Sequence, residues 1–346
     1  MTSTASRPRT AFVALLSAGV LSLVTPHPHA QQPVTVVPLT PPPPPIVVDG
    51  VEVLPVQGKV HVIVGAGGNV SAQIGDEGVL IVDSGATGQS EKILTAITRL
   101  TSRPVRFLIN TNDDADHIAG NGAIVKAHGG TRGPRPGGVT GGNPRGPNAG
   151  VMTMAHENAF NRMSTARPGV PALTGDALPE STFFTPKKEF FSNGEAIQLL
   201  AQPNAHTDGD VMVFFRSSDV LSTGDVFVTT SYPVIDPSRG GSVQGVIDAL
   251  NTIIDITVPE RNQMGGTRVI PGHGRICNEA DVVDYRDMVT IVRDRVQEMA
   301  RKGMTLPQIR AARPSLEYDG IYGATTGPWT TDMFLEAVYR GVTARK

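Results

Sequence analysis

Apolar positions change their spacing repeatedly along this chain, and each change marks an element. HVIVG (61–65), NVSAQI (69–74) and GVLIVDSG (78–85) are short runs rich in β-branched residues, which predict strands. SEKILTAITRL (90–100) spaces its apolar residues at helical intervals, with Ser90 as the candidate cap. VRFLIN (105–110) predicts a strand, GAIVKAH (122–128) a short helix, GVMTMA (150–155) a strand and ENAFNRM (157–163) a helix. AIQLLAQ (196–202), DVMVFF (210–215) and DVLSTGD (219–225) predict three more strands. SVQGVIDALNTIIDI (242–256) is helical, and TRVIPGHG (267–274) is a strand that breaks at Pro271. ADVVDYRDMVTIVRDRVQEMA (280–300) is the most convincing helix, and two shorter ones near 305–312 and 331–343 close the chain. No internal repeat is visible.

Two stretches carry no period. VVPLTPPPPPIVVDG (36–50) holds five consecutive prolines, which favour an extended, stiff spacer. The folded part is expected to begin near Val47. GGTRGPRPGGVTGGNPRGPNAG (129–150) is dense in Gly and Pro and predicts a flexible loop. It follows a helix and precedes a strand, so it is expected not to cover an active site built at strand ends.

The start of the chain reads as a targeting segment. Arg7 and Arg9 precede AFVALLSAGVLSLV (11–24), an apolar run short for a membrane span. A signal peptide ending near Ala30 is the first reading, and an uncleaved membrane anchor the second. This divides the chain into a signal peptide (1–30), a Pro-rich linker (31–46) and one domain (47–346). Export to a periplasm is the expected destination, and no stable membrane insertion is expected after cleavage. The chain without its leader has 28 basic and 32 acidic residues, a net charge of −4. Nothing is polybasic, so nucleic acid is not an expected partner. Cys277 is the only cysteine, which excludes an internal disulfide.

Candidate chemistry lies where predicted strands end. DADHIAGN (114–121), NAHTDGD (204–210) and PGHG (271–274) each place a histidine among acids or glycines. STGD (222–225) and VLIVDSG (79–85) add aspartates in similar positions. His61, His128 and His156 fit no such pattern and read as structural or exposed. Asp208 and Asp210 flank His206 and read as loop caps. Cys277 reads as a small buried apolar group. Tyr232, Asp236 and Trp329 are candidates for lining a pocket.

Together these segments resemble the metallo-β-lactamase-fold hydrolase superfamily, over roughly residues 58–290. The resemblance implies an α+β fold, a four-layer αββα sandwich with a metal site at one edge. The family's motifs are an early aspartate, then His-x-His-x-Asp-His, a lone histidine, a later aspartate and a last histidine. They fall on Asp83, then Asn112, Asp114, Asp116 and His117, then His206, Asp225 and His273. The implied metal ligands are therefore Asn112, Asp114, Asp116, His117, His206, Asp225 and His273. Asp83 is read as fixing a ligand through hydrogen bonds, or as a loop cap.

The departure is at Asn112 and Asp114, where the family has histidines. The second of two sites keeps Asp116, His117, His273 and Asp225. The first becomes Asn112, Asp114, His206 and Asp225. Imidazole suits zinc and an amide oxygen binds it weakly. Zinc, as one or two ions, is the expected cofactor, with Mn, Fe or Mg favoured at the oxygen-rich first site if it is filled. Some filling is expected, because a cation would relieve the added charge of Asp114. The implied reaction is hydrolysis of a small molecule: an ion-activated water attacks a carbonyl (β-lactam, lactone or ester) or a phosphoester. Asp116 or Asp114 would move the proton. Two other readings stay open: a non-catalytic or one-metal binding member, and an iron-dependent sulfur oxidiser.

Overall fold

The computed structural model describes residues 46–132 and 150–344. The leader, the linker up to Pro45 and most of the Gly/Pro-rich loop lie outside the described residues, and so does the expectation about what that loop covers.

The first sheet is a meander followed by parallel additions. β1 (Ile46–Val48), β2 (Val51–Gln57), β3 (Val60–Val64), β4 (Val70–Gly75) and β5 (Gly78–Val82) pair antiparallel in sequence order. α1 (Ser90–Leu100) then carries the chain over the sheet to β6 (Val105–Ile109), which joins β5 in parallel. α2 (Ala115–Ile118) and α3 (Asn121–Ala127) lead toward β7 (Met152–His156). α4 (Glu157–Met163) precedes β8 (Ser181–Phe183), and both strands add in parallel.

The second sheet uses the rest of the chain. β9 (Lys187–Ser192), β10 (Glu195–Gln202), β11 (Asp210–Phe215) and β12 (Val220–Ser222) pair antiparallel. α5 (Val243–Ile256) crosses to β13 (Arg268–Ile270), which lies parallel to β12. α6 (Glu279–Arg301), α7 (Leu306–Ala312), α8 (Asp319–Tyr322) and α9 (Thr331–Thr343) complete the described chain. Among the described residues each sheet thus uses one stretch of sequence, and the strands pass from one sheet to the other once, at residues 184–186.

Side-chain alternation converts these sheets into layers. On β11, Val211, Val213 and Phe215 face the first sheet, while Met212 and Phe214 pack with α5 and α6. On β5, Leu80 and Val82 face the second sheet, while Val79 and Ile81 pack on Ile93 and Ile97 of α1. Both faces of each central strand are buried, which is why these strands read as continuous apolar runs. The order of layers is helix, sheet, sheet, helix, the αββα sandwich that the resemblance implied.

Four strands were not predicted. β1 and β2 continue straight out of the proline-rich stretch, and β2 contains Pro55 at a bulge. β8 is only Ser181–Phe183, and β9 begins with Lys187 and Lys188, charges suited to a sheet edge. Ser90 is a further correction. It is the first residue of α1, and Gln89 occupies the cap position without a side-chain bond. No helix among the described residues is long and apolar enough to cross a membrane.

Candidate metal centre

Every motif residue sits just beyond a strand end, at one edge of the sandwich. Asp83 follows β5 and adopts a left-handed backbone (φ 66°). Asn112 and Asp114 lie between β6 and α2, and Asp116 and His117 lie in the first turn of α2. His206 lies in the loop between β10 and β11. Asp225 sits in a 3-10 turn (Gly224–Val226) after β12, and His273 follows β13. The first sheet therefore supplies five of these eight residues and the second sheet three.

Two groups of ligand atoms converge. Asp116, His117 and His273 form one set, and Asp114, His206 and Asp225 the other, with atoms within 4.8 Å of one another in each. Asp225, a member of the latter set, also touches the former: its Oδ2 lies 3.1 Å from His117 Nε2, and its Oδ1 lies 3.5 Å from His273 Nε2. His273 Nε2 is also 3.1 Å from Asp116 Oδ2. His117, His206 and Asp225 are buried, whereas the side chains of Asp116 (40% exposed) and His273 (32%) face solvent. The site opens on that side.

Asp83 holds the loop and the ring together. Its carboxylate accepts the Thr111 backbone N–H (2.8 Å), the Thr111 hydroxyl (2.7 Å) and His117 Nδ1 (2.7 Å). A proton on Nδ1 leaves Nε2 to face the centre. Asp210 does the same for the other histidine: it lies 3.2 Å from His206 Nδ1 and accepts the Thr207 N–H at 2.7 Å. Backbone packs close behind both groups. A Cβ at Gly68 would lie 2.5 Å from the His117 ring, and one at Gly272 would lie 2.2 Å from Asp225 Oδ1.

The charges are strongly coupled. Burial opposes a charged His117, but Asp225 and Asp83 outweigh it and raise its pKa well above the ordinary imidazole value. Burial likewise opposes ionisation of Asp225, but His117 and the other imidazoles hold it far below the usual carboxylate range. The bond from His273 lowers Asp116 and raises His273 in return. A divalent cation would satisfy the same carboxylates while requiring neutral rings.

The residues of the second set fit such an ion. His117 Nε2 and Asp225 Oδ1 are buried and have no hydrogen-bond partner among the described residues. His117 Nε2 is 3.1 Å from Asp225 Oδ2, and the two do not form a hydrogen bond. With its single proton on Nδ1 toward Asp83, the neutral His117 ring keeps the Nε2 lone pair for an ion. Two imidazoles and two carboxylates form a donor set that zinc accepts.

The first set is different. Asn112 Oδ1 accepts the Asp114 backbone N–H (2.9 Å), and its Nδ2 donates to Asp225 Oδ2 (3.2 Å). Asp114 Oδ2 lies 3.3 Å from His206 Nε2, and Asp114 Oδ1 accepts from Arg239 Nη1. Burial opposes ionisation of Asp114, but His206 and Arg239 hold its carboxyl far below the ordinary value. Arg239 was not anticipated from sequence. It is far along the chain from the central motif, and its SRGG context (238–241) carries no signal. Asp113 was also passed over; it is buried against Arg162 (2.9 Å), Arg167 (3.4 Å) and Arg239 (3.5 Å).

The remaining candidates have other surroundings. His156 Nδ1 accepts the Asn158 N–H (3.2 Å) and caps α4. Burial lowers the pKa values of His61 and His128, which lie away from both ligand sets. Cys277 is buried in the second helical layer, where burial pushes its thiol up to about 12. Tyr232 is buried, stacks on Phe334 (4.4 Å) and donates to Ser315 O and Asp319 Oδ1. Trp329 packs against the same core, and Asp236 holds Arg239 Nε at 2.7 Å.

Solved structures with the same architecture are distant in sequence. The stereoselective inverting sec-alkylsulfatase Pisa1 from Pseudomonas sp. matches at 16% identity and TM-score 0.56, over 83% of this chain and 49% of its own. The chain thus spans about half the length of that protein. The metallo-beta-lactamase from Pontibacter korlensis matches at 16% identity and TM-score 0.51, over 69% and 99% of the two chains. DIM-1 metallo-beta-lactamase matches at 14% and TM-score 0.52, over 70% and 99%. No curated protein sequence matches the chain. The sequence profile of the metallo-beta-lactamase superfamily, however, matches residues 63–273, from β3 through the last motif histidine. With that match over more than half its length, and with the motif positions gathered at one edge of an αββα sandwich, the chain belongs to the metallo-beta-lactamase superfamily.

Proposed function

We propose that this chain is an exported, metal-dependent hydrolase of a small molecule. The observation that carries this reading is the second ligand set: Asp116, His117 and His273 converge beside Asp225, with two buried ligand atoms, His117 Nε2 and Asp225 Oδ1, that make no hydrogen bond among the described residues. When bound there, a divalent ion supplies Lewis acidity and a nucleophile at neutral pH. Zinc suits the two imidazoles, and Mn or Fe would also accept the carboxylates.

The protein's own groups do the rest. Asp83 fixes the His117 ring, and Asp225 joins the two halves of the site. Asp116 lies at the open rim and its pKa is lowered by His273, so it is ionised at neutral pH. Its carboxylate can take a proton from the attacking water and pass it to the leaving group. Asp114 is less suited, because Arg239 and His206 already engage both of its oxygens. A cleft of about 370 Å³ adjoins the site at Gly274, lined by Thr229, Thr230, Arg275, Ile321 and Tyr322. That volume matches a small molecule.

The substrate classes to test are β-lactams, lactones, carboxylic esters and phosphoesters, with alkyl sulfates added because of the alkylsulfatase likeness. The metal-loaded chain is expected to turn over at least one class. A chelator and His273→Ala should each abolish that activity. A folded, metal-loaded chain inert across the panel would mean a binding protein. Bound iron with thiol-dependent oxygen uptake would mean a sulfur oxidiser. Export rests on the apolar run at 11–24, and fractionation of the producing cell tests it.

A further inference from the structure

The ligand atoms without hydrogen-bond partners are His117 Nε2, in the second set, and Asp225 Oδ1, which both sets share; the residues peculiar to the first set, Asn112, Asp114 and His206, are engaged by other groups. Asn112 accepts the Asp114 N–H with its oxygen and donates one amide proton to Asp225 Oδ2. Only this orientation of the amide places a donor beside the carboxylate and an acceptor beside the N–H. His206 has Asp210 on one ring nitrogen and Asp114 on the other. Asp114 has His206 on one oxygen and Arg239 on the other.

Arg239 is itself fixed in place. Its Nε bonds Asp236 Oδ2 at 2.7 Å, and Asp236 also caps the turn Pro237–Arg239 that carries the side chain. Nη1 reaches Asp114 and lies 3.5 Å from the buried Asp113, and Nη2 lies 3.4 Å from His206 Nε2. An arginine does not deprotonate to make way for an ion, as a lysine or histidine can.

We propose that the Arg239 guanidinium takes the place of the first metal ion, so that the chain holds a single ion, at Asp116, His117, His273 and Asp225. Where the family's motif has two histidines and a cation between them, this chain has a carboxylate and an internal cation. The substitution of Asp114 for a histidine then supplies the anion that binds the arginine. The sequence led to the expectation of some ion at the first site; on this proposal Arg239 stands there instead. Arg239 acts as a positioning residue: it neutralises Asp114 and keeps it off the metal.

The inference rests on the metal-dependent reading above, and one experiment separates the two. The purified chain is loaded with excess Zn(II), and separately with Mn(II), desalted and analysed for metal per chain. We expect one equivalent of either metal. Asp114→Asn should keep that equivalent with its affinity changed less than about tenfold, and His273→Ala should lose it. Arg239→Ala should gain a second, weaker equivalent that disappears in the double variant Arg239→Ala/Asp114→Asn. Two equivalents in the unaltered chain, or a loss of affinity well beyond tenfold in Asp114→Asn, would overturn the arginine proposal and leave the metalloenzyme standing. No bound metal in the unaltered chain would overturn both. The Asp114→Asn arm keeps the question answerable should Arg239→Ala fail to fold.

Discussion

At the scale of single residues, the site depends on groups that touch no substrate. Asp83 accepts three hydrogen bonds, one of them from His117. Asp83→Ala is expected to lower zinc affinity by about 10–100-fold, measured by competition with a chromophoric chelator. Proton competition gives a second outcome. The pKa of His117 is raised in the fold, so protonated His117 stabilises the metal-free chain below the ordinary imidazole value of about 6.5. That contribution fades as pH rises through the raised value. Zinc must displace this proton, so its affinity changes in the opposite sense and increases with pH. Titrations at about pH 6 and pH 8 should differ by at least tenfold, with proton release on binding; equal affinities would contradict the ligand role of His117. The histidines and aspartates were legible because strand ends with clustered ligands are rare. Arg239 was not, because its meaning comes from Asp114, which lies 125 positions away.

Elements were legible to the degree that burial imposed a pattern on them. β5 and β11 are buried on both faces, and their apolar runs stand out. β9 alternates exposed and half-covered residues at a sheet edge and is charged at its start, so nothing in its composition distinguishes it from a loop. β1 and β2 were hidden by the proline run before them. The stated roles of the central strands can be checked by truncation. Leu80 is fully buried between the sheets, and Leu80→Ala should cost about 2–5 kcal/mol in urea unfolding. Phe191, 72% exposed on β9, should tolerate Phe191→Thr within about 0.5 kcal/mol.

At the scale of the molecule, the layer order followed from the sequence because alternating strands and helices with two-faced burial allow few arrangements. The coupling between layers did not. An ion at the second set binds the folded chain alone, so excess zinc should raise the thermal midpoint. A chelator should remove that increment, and His273→Ala should show the same midpoint with and without zinc. A midpoint in the unaltered chain indifferent to zinc would argue against a preformed site.

The single passage between sheets, at residues 184–186, has a consequence of its own. His117 and Asp116 belong to the part before it, and Asp225 and His273 to the part after it. An ion held there would therefore be a stitch across a seam that the backbone of the described residues closes once. If the chain is nicked at the exposed Phe184, two fragments result, each with half a ligand set and one bare sheet face. They should reassociate through that face, and zinc should tighten the pair. Pull-down of one fragment by the other, with and without chelator, reads this directly. Metal-independent reassembly would show that the apolar seam holds the two halves without help from the site.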